Sequence, residues 1–196
     1  MVSTGVPELD SLLGKGFPDR SAILVKGAVG SGKESLAYRF EMAGLARGDY
    51  CLFITHRAVR DILDDAKGSG IDLEPSALVW VASQGSPTKY DPDDLATLSY
   101  NLKELLKDSS NNHIIVVVDA LSPLLMVYQP ETIYKFLRQL LEDAKKHDSV
   151  ILATFDKGMH KPERGEGEGD NEGAKVKPVA SMGKRYTLCC DLCRAG

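Results

Sequence analysis

Apolar residues in this chain fall into short unbroken runs, separated by stretches where they recur every three or four positions. Runs at 22–26, 50–55, 77–82, 114–119 and 150–155 are short, apolar and rich in β-branched residues, the pattern of strands buried on both faces. Between them lie helical stripes: Leu36, Phe40, Ala43 and Leu45; Val59, Ile62, Leu63 and Ala66; Leu95, Leu98, Leu102, Leu105 and Leu106; and Ile133, Phe136, Leu137, Leu140, Leu141 and Ala144. Asp91-Pro92-Asp93-Asp94 precedes the third stripe, with a capping carboxylate and proline suited to a first turn. A further run at 185–192 raises the expected count from five strands to six. Strands alternating with helices predict an α/β fold, a mostly parallel sheet flanked by helices on both faces.

The pattern stops near residue 156. A core at 1–156 is followed at 157–183 by a segment that alternates glycine with acids and cannot bury a core, read as a mobile loop. Residues 184–196 are read as a last strand and tail. With 196 residues, 43% hydrophobic, the chain suits a single core, and its net charge of −4 offers no general attraction to nucleic acid. No run approaches the roughly 18 apolar residues of a spanning helix, and the first residues lack the basic and apolar regions of an export signal, so no membrane partner and a cytoplasmic location are expected. Of the four cysteines, Cys189, Cys190 and Cys193 crowd the C-terminus and Cys51 opens a strand; this is not a disulfide framework. Cys190 and Cys193 have C-x-x-C spacing, but no second pair accompanies them and they are read as reduced thiols.

The chemistry lies at the end of the first run. Gly27-Ala28-Val29-Gly30-Ser31-Gly32-Lys33-Glu34 fits the phosphate-cradling pattern G-x-x-x-x-G-K-[ST] at every position but the last. Glycines there let successive backbone N–H groups face one concavity, the following helix points its positive end at the same anion, and Lys33 reaches the outer phosphates. Gly27, Val29, Gly30, Ser31, Gly32, Lys33, Glu34 and Ser35 are therefore the candidate nucleotide contacts. Glu34 replaces the hydroxyl that holds Mg²⁺. Its length and charge crowd the β-phosphate, so its own role as a ligand is doubtful, Ser35 is the nearest substitute, and the metal requirement stays open. Asp119, ending the run at 114–119, is placed to hold Mg²⁺ through water.

The segment Ser3-Thr4-Gly5-Val6-Pro7-Glu8-Leu9-Asp10-Ser11-Leu12-Leu13-Gly14, then Gly16-Phe17-Pro18, the loop, and Asp119-Ala120-Leu121-Ser122-Pro123-Leu124 together resemble the KaiC-like branch of the RecA-superfamily P-loop ATPases, over about residues 4 to 155. The resemblance implies a RecA-like core, ATP as ligand, and homo-oligomers or hetero-oligomers of related RecA-like subunits. It also implies a catalytic glutamate after the second strand. The chain instead reads Thr55-His56-Arg57-Ala58 there, with no carboxylate before Asp61. No catalytic residue is assigned; His56 remains as a candidate base, and Arg57 and Arg60 as phosphate or subunit contacts whose commoner role is a solvated face.

With the magnesium hydroxyl and the water-orienting acid both replaced, the expectation is ATP binding with weak or no hydrolysis and a regulatory or assembly role. Two alternatives stand beside it. One is a recombinase-related DNA-repair factor contacting DNA through the segment after Phe155, whose acids oppose phosphate contact while Lys157, Lys161, Lys175, Lys177, Lys184 and Arg185 favour it. The other is an active ATPase that recruits its base from elsewhere. Trp80 is read as packing, and His147 as a cation at a helix C-terminus.

Overall fold

A computed structural model describes residues 1–84, 94–108, 113–119, 121–156 and 186–189. In chain order these form α1 (Pro7–Leu12), β1 (Ser21–Gly27), α2 (Lys33–Arg47), β2 (Tyr50–Ala58), α3 (Val59–Gly68), β3 (Val79–Gln84), α4 (Leu95–Asp108), β4 (Ile114–Asp119), α5 (Ser122–Val127), α6 (Pro130–Lys146), β5 (Ser149–Asp156) and β6 (Tyr186–Cys189). The six strands make one sheet in the order β3-β2-β4-β5-β1-β6, and every pairing is parallel.

Side chains alternate across each strand, so the sheet supports two cores. Ile23, Val25, Phe53, Val117 and Leu152 point to one face and pack beneath α2 and α3; Leu52, Ile54, Val116, Val118 and Ile151 point to the other, beneath α4, α5 and α6. All six residues of β4 are buried. A strand covered on both faces has no need of polar positions, which is why it reads as an unbroken apolar run. Trp80 packs as expected, with its ring centroid 5.2 Å from that of Phe53 and its indole N–H donating to the Pro75 carbonyl at 2.9 Å.

The observed strands follow the predicted runs, with shifts at the ends. The third begins at Val79, not residue 77, because Pro75–Ala77 closes a 3₁₀ turn. Ahead of α4, Asp94 Oδ1 accepts the Ala96 N–H at 3.0 Å, a side-chain cap; residues 91–93 lie outside the described set. So do 157–185 and 190–196, and with them the glycine-acid segment and the C-x-x-C pair. Among the described residues no helix is long and apolar enough to cross a membrane.

The N-terminal segment folds back on α2. Asp10 accepts the Thr4 N–H at 2.7 Å and the Ser3 hydroxyl at 2.6 Å, and Gly5, with φ of 78°, lies where a Cβ would sit 2.2 Å from the Arg39 carbonyl oxygen. Only glycine fits that approach.

Parallel strands put all their C-terminal ends on one rim, and register decides what meets there. Gly27 of β1 is level with Asp156 of β5, and Thr55 of β2 with Asp119 of β4. Residues far apart in sequence thus share one crevice at the carboxyl ends of the strands.

Candidate nucleotide site

Between β1 and α2 the loop turns on two glycines in the left-handed region, Gly30 at φ 75° and Gly32 at φ 84°. A Cβ on Gly30 would meet no atom within 4 Å, so this glycine serves backbone conformation rather than close packing. Ser31 N–H closes the turn on the Ala28 carbonyl at 3.1 Å, and Val29 stands exposed at the tip. α2 starts at Lys33, and the N–H groups of its first turn have no acceptor within the helix. The buried Ser31 hydroxyl oxygen has no hydrogen-bond partner. Orphaned donors, an orphaned hydroxyl and a helix N-terminus in one concavity fit a polyphosphate.

Lys33 is 1% exposed. Its ammonium lies 2.7 Å from Asp156 Oδ1 and 2.5 Å from Glu34 Oε1, and donates more weakly to the Ala28 carbonyl at 3.4 Å. Burial works against the charge, but the hydrogen bonds that Lys33 donates to Asp156 and Glu34, with the charges of both carboxylates, outweigh it, and the lysine is held above its ordinary pKa. Glu34, in the first turn, also meets the positive end of the helix. Ser35 turns away from the loop, its hydroxyl donating to Ser69 Oγ at 3.1 Å.

Asp119 is buried at 3% exposure between two hydroxyls, accepting from Thr55 at 3.1 Å and from Thr154 at 3.3 Å. Burial raises its pKa, and Glu34 adds to the rise, against the Thr55 hydrogen bond and the Arg57 charge. Each oxygen keeps a further lone pair, yet among the described residues no group of three or more His, Cys, Asp or Glu is arranged to hold a metal ion.

Near the end of β2, His56 and Arg57 occupy the segment where the resemblance implies an acid. Arg57 is committed to structure: it donates to Asp65 Oδ2 at 2.9 Å, to the Asp61 carbonyl at 3.1 Å and to the Tyr38 hydroxyl at 3.4 Å. Arg60 extends into solvent beside Asp64. The structure therefore brings Lys33, Glu34 and Asp119 to one rim and directs Ser35 and Arg57 elsewhere. Asp156, Thr55 and Thr154 were not among the expected site residues. Asp156 does carry the signal that singled out Asp119, an apolar run ending in a carboxylate.

A wholly parallel sheet with a glycine loop between its first strand and helix defines an α/β P-loop core of RecA type. The chain belongs to the KaiC ATPase family, whose profile matches residues 2–178. It is 30% identical to the circadian clock protein KaiC2 of Synechocystis over 159 residues, covering 78% of this chain and 27% of that protein. It is 29% identical over 157 residues to KaiC3 of the same organism, covering 78% and 30%, and 28% identical over 138 residues to a UPF0273 protein of Methanopyrus kandleri, covering 63% and 54%. The chain thus spans between about a quarter and about half of the length of these relatives.

Proposed function

We propose that this domain binds ATP through Gly27, Val29, Gly30, Ser31, Gly32 and Lys33 and through the main-chain N–H groups of Glu34 and Ser35, hydrolyses it weakly or not at all, and acts as a regulatory or assembly domain among related RecA-like subunits. One observation carries the reading: a left-handed glycine loop with an orphaned Ser31 hydroxyl feeds the N-terminus of α2, while the Arg57 guanidinium near the end of β2 is engaged with Asp65. The main-chain N–H groups of the loop and first helical turn bind the phosphates, and Lys33 compensates charge on the outer ones. Mg²⁺, when bound, supplies further charge compensation at the phosphates; Asp119 is the residue best placed to hold its water shell.

Weak turnover follows from what surrounds the phosphates. Orienting water needs a group poised to accept its proton, and β2 ends in an imidazole and a guanidinium locked to Asp65. Asp119 already accepts two hydroxyls. Titrating ATP and ADP by calorimetry with and without Mg²⁺, alongside a phosphate-release assay, tests both halves. Measurable association with near-background release is expected. Turnover at about 1 s⁻¹ or faster removes the weak-hydrolysis half, and no association with either nucleotide removes the whole reading.

A further inference from the structure

An ammonium group has three hydrogens to donate. Around Lys33 three acceptors already stand: Asp156, Glu34 and the Ala28 carbonyl. A phosphate oxygen that is to reach this lysine has to displace one of them. Asp156 is fixed at the end of β5, where its main-chain N–H donates to Ser122 Oγ at 2.8 Å. Glu34 is the more mobile arm, with a side chain 27% exposed against 13% for Asp156 and a position in the first turn of α2.

Resting on the nucleotide reading above, we infer that Glu34 is an internal anion of the phosphate loop: its carboxylate takes the place of a phosphate oxygen on Lys33, and polyphosphate binds by displacing it. With Asp156 it sets two carboxylates against one ammonium, so the loop meets an incoming polyanion with no surplus of positive side-chain charge. Glu34 therefore determines specificity. It penalises uncomplexed polyphosphate most, because that ligand carries the largest negative charge, and a divalent cation lowers the penalty by neutralising part of it. This differs from a metal-ligand role, in which the carboxylate would help the complexed ligand and leave the uncomplexed one unaffected.

The two roles separate by the sign of one substitution. Binding of inorganic tripolyphosphate and of ATP is measured by calorimetry, in EDTA and in Mg²⁺, for the wild type, Glu34→Gln and Glu34→Thr, with thermal melts to show that each variant is folded. Tripolyphosphate reports on the loop without contributions from base or ribose. Glu34→Gln is expected to tighten both ligands in EDTA by about tenfold, the equivalent of about 1.4 kcal/mol, and to shrink the gain that Mg²⁺ brings. Glu34→Thr, which also removes the charge, is expected to move EDTA binding in the same direction. If both variants leave EDTA binding unchanged or weaken it, the inference is overturned while the nucleotide reading stands. If neither wild type nor variants associate with either ligand in either buffer, the nucleotide reading fails and the inference with it.

Discussion

Lys33 and Glu41 lie about two turns apart on α2, at 1% and 0% exposure, and the fold treats them in opposite ways. Lys33 keeps its charge because Asp156 and Glu34 both reach it. Glu41 sits in the core between α2 and the sheet, where no group meets either carboxyl oxygen in hydrogen-bonding geometry. Burial drives its pKa well above the ordinary carboxylate range and the Asp49 charge adds to the rise, while the Cys51 thiol and the Val117 N–H, close by but outside that geometry, offset only part of it. The Cys51 thiol in turn is pushed up by burial and by Glu41. A buried ion survives on this helix at the rim, where Asp156 of β5 and the neighbouring Glu34 supply counter-charges; eight residues further along, burial pushes the acid of the same helix toward its neutral form.

The largest effect expected comes from erasing the charged member. Lys33→Met preserves an apolar stem and leaves Glu34 and Asp156 facing the loop without a cation. Truncating one partner of a buried charge pair costs about 2–5 kcal/mol, so ATP affinity should fall at least about thirtyfold by calorimetry. Wild-type affinity in that variant would break the contrast, since the lysine's charge would then serve binding no more than Glu41 does.

Glu41→Gln comes next and acts on stability instead. The native pKa of Glu41 is raised, so its contribution is fully present below the unfolded value of about 4.5 and is lost as pH rises toward the native pKa. Over that window the wild type should lose about 1.4 kcal/mol per pH unit relative to Glu41→Gln, because the unfolded chain releases a proton that the folded one retains. Urea midpoints of both proteins between pH 5 and 8 test this. The difference should widen with pH in favour of the variant, with nucleotide binding unchanged; parallel curves would show that Glu41 titrates normally and that the core tolerates its charge.

The rim residue was legible in the sequence and the core one was not, and the reason is locality. Gly27 to Glu34 form a contiguous pattern, so loop, lysine and the displaced hydroxyl can be read without knowing the fold. Asp119 needed only its own apolar run. Asp156 depends on β5 lying beside β1 at the register Gly27 to Asp156, and strand order leaves no local trace. Thr55 and Thr154 reach Asp119 from the two strands beside β4 for the same reason. Glu41 follows Phe40 within the stripe of α2, where a charged residue is expected to face solvent. α1 and α5, at six residues each, are too short to show periodicity.

Tyr38, between the two on α2, is an intermediate case and predicts the smallest effect. Its ring is fully buried, and its hydroxyl donates to Asp65 Oδ2 at 2.8 Å beside the Arg57 guanidinium. Burial works against the Asp65 charge, but the hydrogen bonds from Arg57 and Tyr38 hold its pKa below the ordinary value. In Tyr38→Phe the ring still packs against Phe53, and Asp65 keeps Arg57 and access to water. The expected cost is therefore that of one hydrogen bond, about 1 kcal/mol, read as a shift in urea midpoint. A depressed native pKa stabilises above the unfolded value and is lost as pH falls through the native one, so the deficit of the variant should shrink in acid, the reverse of the trend at Glu41. A cost near that of a buried, unpartnered charge, or a deficit that grows in acid, would place Asp65 with Glu41 among groups cut off from water and redraw the line between rim and core.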